Sequence, residues 1–148
     1  MALSDYLVPE RVLFLSQKKR KDVLSSMIDR ADELGLVGNR RAFAAAIAER
    51  ESIISTGIGL GVAVPHAKLP IVRDFFVIVA VLDSEVDWDA IDRKGVRLVF
   101  LIGGPDNRQT AYLQILAKIV LVTKNDELRK VLLDAKTPDE AVAPFAAL

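Results

Sequence analysis

The chain reads as an α/β protein: a mixed β-sheet sandwiched between helices on both faces, in a single domain over residues 1–148. Three observations predict this. Phe75–Leu82 and Val96–Ile102 are apolar runs rich in β-branched residues, the pattern of strands buried on both faces. Amphipathic helical stripes lie before and after them. The length, 148 residues, fits one domain with a substantial core.

The elements follow in order. Residues 11–15 (Arg-Val-Leu-Phe-Leu) form a short strand, and Ser16 is placed to cap the helix that follows. Val23, Leu24, Met27, Ile28, Ala31 and Leu34 make one helical stripe, with Gly35 where a C-terminal cap belongs. Asn39 can cap a second, alanine-rich helix running to about Glu51. Gly57, Gly59 and Gly61 then break the periodicity, and Gly61–Pro65 reads as a short strand leading into His66. After the two buried strands, the second of which ends at Gly103-Gly104-Pro105, the rest is helical. Leu113, Leu116, Ala117, Val120 and Leu121 form one predicted stripe; Leu128, Val131 and Leu132 form another. Thr137-Pro138-Asp139-Glu140 is a capping box with proline in the first helical position.

Composition removes several function classes. Hydrophobic residues make up 51% and charged residues 27%, which argues against disorder. Lys+Arg and Asp+Glu are both 20, so no basic excess points to nucleic acid. The basic run Lys18–Lys21 reads as a solvated helix face. The absence of cysteine excludes disulfides, thiolate zinc sites and cysteine nucleophiles, and it suits a cytoplasmic protein. No apolar run approaches the roughly 20 residues that span a bilayer, so no membrane insertion is expected. Met1–Asp5 lacks the pattern of a signal peptide.

Chemistry concentrates between Arg50 and Lys68. The three glycines permit left-handed backbone and uncovered amides that can nest an anion. His66, the single histidine, follows a proline that fixes the local backbone, and Arg50 and Lys68 can add positive charge. Each feature has a plainer reading: a turn between helix and strand, a surface histidine, a solvated helix end. The pattern is neither a P-loop nor a dinucleotide fingerprint, because no Gly-Lys-Ser/Thr follows and the glycines precede a strand. Ser52 and Ser55 lack a nucleophile-elbow context, and one histidine with scattered acids makes a poor metal site.

Arg50-Glu51, Ser55-Thr-Gly-Ile-Gly59 and Gly61-Val-Ala-Val-Pro-His-Ala67 closely resemble the active-site signature of the fructose/mannitol-type enzyme IIA of the bacterial phosphotransferase system, a class that includes the nitrogen-regulatory enzyme IIA. Val86–Asp92, Val96–Ile102, Pro105 and the helix with Leu113, Leu116 and Ala117 extend the resemblance from about residue 5 to residue 146. The resemblance implies that His66 carries the phosphoryl group, with Arg50 beside it and Thr56 as the loop hydroxyl; the amides of Gly57, Gly59 and Gly61, with Thr56 and Arg50, are the candidates for its oxygens. It implies an HPr-type phosphocarrier or its nitrogen-branch counterpart as donor, and an enzyme IIB or a regulatory target as recipient. No cofactor is implied. Many members have a second histidine beside the first; here Tyr112 stands in that position, a neutral hydrogen-bond donor that cannot carry positive charge.

Neutral imidazole, with an ordinary pKa near 6.5, is a competent phosphoryl acceptor at cellular pH. Transfer then rests on positioning and electrostatics around an in-line phosphoryl group. Three alternatives stay open: a sugar-specific enzyme IIA feeding a IIB component, a regulatory module that is not phosphorylated, and a small-molecule-binding domain whose glycine loop holds an anion. With no fused IIB or membrane segment in the sequence, the regulatory branch is the expectation.

Overall fold

The computed structural model describes residues 3–147. Met1, Ala2 and Leu148 lie outside the described residues, and so do the corresponding parts of the N-terminal reading and of the expected 1–148 domain. Short 3₁₀ turns at Leu3–Asp5 and Pro9–Arg11 lead into β1 (Val12–Leu15). Then come α1 (Arg20–Glu33), α2 (Arg40–Ile53), β2 (Gly57–Gly59), β3 (Val62–Ala63) and β4 (His66–Lys68). The long central strands β5 (Phe76–Val86) and β6 (Val96–Gly104) follow. Helices α3 (Gln109–Thr123), α4 (Asp126–Asp134) and α5 (Pro138–Val142) and a last 3₁₀ turn, Ala143–Ala147, complete the described chain.

The sheet order is β1-β5-β6-β3-β2, and β4 also pairs with β6. β5 and β6 are antiparallel, whereas β1 joins β5, and β3 and β4 join β6, in parallel. The sheet is therefore mixed. Side-chain alternation along β5 and β6 divides the core. Phe76, Ile78, Ala80, Leu82, Val99 and Leu101 pack with Val23, Met27, Phe43 and Ile47 of α1 and α2. Val77, Val79, Val81, Leu98, Phe100 and Ile102 pack with Tyr112, Ile115, Ile119 and Leu132 of α3 and α4. Helices thus cover both faces, as the apolar runs require. Among the described residues, no helix is long and apolar enough to cross a membrane.

Local signals explain several boundaries. Gly35, at φ +72°, ends α1: its amide donates to Asp32 O and the Leu36 amide to Ala31 O, both at 2.9 Å. Asn39 and Thr137 cap α2 and α5 through their side chains. Ser16 does not cap α1. That helix starts four residues later, after Lys19, without a side-chain cap. Ser16 hydrogen-bonds Asp83 instead, and Lys18 donates to Ser84, so the segment stays extended along the end of β5.

The α3 stripe also differs from expectation. Tyr112, Ile115, Ile119 and Thr123 face the sheet, while Leu113 and Leu121 are 51% and 68% exposed. Ten of the fifteen residues in that helix are apolar and they surround it, so periodicity alone does not select the buried face. Gly103 and Gly104 extend β6 rather than ending it, because β4 pairs there.

Gly103 marks a tight crossing of sheet and helix. A Cβ on it would lie 2.3 Å from the Phe76 ring and 3.0 Å from that of Phe43. Gly103→Ala should therefore destabilise the fold by about 1–3 kcal/mol, read from the denaturant midpoint at constant slope.

Candidate functional site

β3 and β4 share one register on β6, with Val62 opposite Leu98 and His66 opposite Ile102. They are one strand interrupted at Val64-Pro65. Proline lacks an amide proton, so the ladder cannot be continuous there. The Pro65 carbonyl still accepts from Ile102 N at 2.9 Å, and the Val64 amide turns to Thr56 O, also at 2.9 Å. The Val64 carbonyl is left for the imidazole: His66 Nδ1 lies 2.8 Å from it.

A carbonyl oxygen only accepts, so Nδ1 carries the proton and donates. In the neutral ring, Nε2 then holds the lone pair. It faces Arg50, whose Nη2 is 3.4 Å away. Arg50 comes from the last turn of α2 and His66 from the first residue of β4, so two rigid elements set this pair.

The two residues line an open cleft of about 600 Å³, with Glu49, Lys68, Tyr112 and Leu113 among the other walls. Lys68 donates to Gln109 Oε1, and its Nζ sits 5.4 Å from the centre of the Tyr112 ring. The Tyr112 ring lies 6.0 Å from that of His66 and stacks on Phe75 at 6.3 Å. Burial pushes the Tyr112 phenol up to about 12, with the Arg50 charge pulling the other way. Tyr112 therefore stays a neutral donor throughout the physiological range. A lone pair beside a guanidinium and an ammonium suits attack on an anionic electrophile.

Thr56, Gly57, Gly59 and Gly61 are not among the residues lining this cleft. Gly57 and Gly59 belong to a hairpin folded onto the loop after β5. A Cβ on Gly57 would meet Ala90 at 2.7 Å, and the Gly57 amide donates to Ser55 Oγ at 3.1 Å. Gly59 and Gly61 flank Leu60, and all three have positive φ. The Leu60 amide does find an anion, namely the chain's own Asp92 carboxylate at 3.2 Å.

The Thr56 side chain is buried; its hydroxyl donates to Glu51 and accepts from Trp88 Nε1 at 3.2 Å. Glu51, on the helix end read as solvated, is buried with it, and Arg20 of the basic run turns inward to Glu51 at 3.6 Å. No spacing in the sequence signals that Arg20, Glu51, Thr56 and Trp88 meet. Among the described residues, no three His, Cys, Asp or Glu side chains are grouped to hold a metal.

The raised phenol gives a pH test. The ordinary phenol value, near 10, governs the unfolded chain, and about 12 governs the fold. Stability is full below pH 10 and falls as pH rises from about 10 towards about 12, because only the unfolded phenol ionises there. Tyr112→Phe should lack this loss. Denaturant midpoints between pH 9 and 11.5 check it, and equal slopes for both proteins would refute the assignment.

Comparison with known proteins gives the family. The sequence profile described as phosphoenolpyruvate-dependent sugar phosphotransferase system, EIIA 2, matches residues 6–147. A nitrogen regulatory protein of Bradyrhizobium diazoefficiens is 33% identical over 133 residues, covering 89% of this chain and 86% of that protein. The fructose-specific EIIABC component of Bacillus subtilis is 30% identical over 143 residues, which is 96% of this chain but only 22% of that longer protein. The crystal structure of nitrogen regulatory protein IIA-Ntr from Neisseria meningitidis superposes with a TM-score of 0.88 at 23% identity, over 95% of this chain and 97% of that one, and it shows the same fold. A profile match across nearly the whole described chain, on the mixed sheet that such proteins share, establishes that this chain belongs to the EIIA 2 family of the sugar phosphotransferase system.

Proposed function

We propose that this chain is a phosphoryl carrier whose acceptor atom is Nε2 of His66. The observation that carries the proposal is the tautomer: Nδ1 is committed to the Val64 carbonyl and Nε2 faces Arg50. In transfer, the donor's phosphorus–nitrogen bond breaks and its electron pair returns to the donor imidazole. The Nε2 lone pair forms the new phosphorus–nitrogen bond, and the Nδ1 proton stays on its carbonyl. Arg50 neutralises charge on the equatorial oxygens, and Lys68 adds a second cation at the cleft wall. The Tyr112 hydroxyl is a neutral donor in the same cleft. Thr56 and the glycines support this arrangement as the frame beneath His66 rather than as ligands of the oxygens.

By analogy with phosphorylated hydroxyls, the product adds roughly −1.5 to −2 charge to a cleft bordered by exposed Leu113 and Ile53. That change is large enough to switch a protein contact. The donor is an HPr-type phosphocarrier or its nitrogen-branch counterpart, and the reaction belongs to the cytoplasm.

The recipient is a regulatory target. The match to a nitrogen regulatory protein along most of both chains supports this branch. The fructose-specific relative supports a second reading, in which the recipient is a sugar-specific IIB component.

Incubation with phosphoenolpyruvate, enzyme I and HPr should add one phosphoryl mass to wild type and none to folded His66→Ala. Labelling of His66→Ala would reject the acceptor. Absence of labelling from HPr and from its nitrogen-branch counterpart would favour a module that is not phosphorylated. Arg50→Ala should slow transfer by about 10²-fold with little change in melting temperature; an unchanged rate would remove its role. Tyr112→His tests the departure at that position: a longer phosphohistidine lifetime or faster transfer would show that the missing imidazole matters, and no change would leave Tyr112 a packing residue.

A further inference from the structure

The phosphoryl-transfer scheme makes no use of Glu51, although its side chain is only 6% exposed. Oε1 accepts the Thr56 hydroxyl, and Oε2 is buried without a hydrogen-bond partner. Arg20 Nη1 stands 3.6 Å from Oε2 and spends its hydrogen bond on Trp88 O at 2.8 Å. Trp88 Nε1 closes the ring on Thr56. Four residues, from α1, α2, the turn before β2 and the loop after β5, thus share one polar cluster, buried except for Arg20. Burying a carboxylate is costly unless it is paired and hydrogen-bonded, and this one is only partly so.

The cluster holds Thr56, and Thr56 leads to the imidazole. Its carbonyl accepts the Val64 amide at 2.9 Å, and the Val64 carbonyl accepts His66 Nδ1 at 2.8 Å. Glu51 is also the neighbour of Arg50 on the last turn of α2. One carboxylate therefore references both the acceptor ring and the guanidinium facing it.

We propose that Glu51 is a positioning residue for phosphoryl transfer: by clamping Thr56 to the end of α2, it holds the Val64 carbonyl where it keeps the His66 proton on Nδ1 and Nε2 towards Arg50. The proposal rests on the phosphoryl-carrier reading of His66. Arg20 belongs to the same device, which gives one member of the basic run a function beneath the site.

Long-range ¹H–¹⁵N imidazole spectra and transfer kinetics against phosphorylated HPr test it on the full chain. Glu51→Ala should move the ring towards the Nε2-protonated tautomer. It should also cut the rate at saturating carrier by about tenfold or more, with the carrier KM within about twofold, because Glu51 lies beneath the cleft and outside its lining. Glu51→Gln keeps an oxygen for the Thr56 hydroxyl and should recover most of both. Leu132→Ala, a destabilising change in the opposite half of the core, should leave both unaltered.

A folded Glu51→Ala with the wild-type tautomer and saturating rate would overturn the proposal, as would equal changes in Leu132→Ala. If Glu51→Ala does not fold, Thr56→Val carries the same expectations and the same refutation. If wild type accepts no phosphoryl group, the carrier reading fails on its own, and the tautomer comparison still decides what Glu51 does.

Discussion

The hydrogen bond from His66 Nδ1 to the Val64 carbonyl leaves the lone pair of the neutral ring on Nε2. β3 and β4 are one strand with a gap at Val64-Pro65, and Val64 points its amide and carbonyl away from β6, which bonds Gly61 and Pro65 instead. The Val64 amide takes Thr56 O, and the Val64 carbonyl is left for the ring. With the gap, β4 resumes the same register and brings His66 opposite Ile102, near the C-terminal end of β6. The apolar centre of the sheet, buried from both sides, makes that platform stiff.

Around this point the structure separates two kinds of polar chemistry. Arg50 and Lys68 stand in an open cleft, where water can hydrate them until an anionic group arrives. Arg20, Glu51, Thr56 and Trp88 form a hydrogen-bonded group that is buried except for Arg20, whose side chain is 32% exposed. The first set can stabilise negative charge brought into the cleft. The second can only hold geometry. Glu51 and Arg50 are adjacent in sequence and fall on opposite sides of this division.

Much of this was legible in the sequence. Phe75–Leu82 and Val96–Ile102 revealed a doubly covered sheet because residues buried on both faces leave no polar alternation. Gly35, Asn39 and Thr137 marked helix ends because caps are local chemistry. His66 and Arg50 stood out within a dense signature, and the structure brings them together. What was not legible depends on distant partners. Ser16 looks like a cap until Asp83 claims it. The buried face of α3 is undecidable where ten of fifteen residues are apolar and surround the helix, and the face left outside places Leu113 on the cleft. Glycine amides suggest a phosphate nest, yet the Leu60 amide between them already holds Asp92. Thr56 reads as a loop hydroxyl, and only the fold shows it buried under Trp88 and Glu51.

We propose that His66 accepts the phosphoryl group through Nε2 while Nδ1 keeps its proton. The most direct measurement is ³¹P–¹⁵N coupling in ¹⁵N-histidine-labelled protein after phosphorylation, read against imidazole nitrogen shifts beforehand. The account predicts a protonated Nδ1 before transfer and phosphorus bonded to Nε2 after it. Phosphorus on Nδ1, or on any other residue, would contradict it.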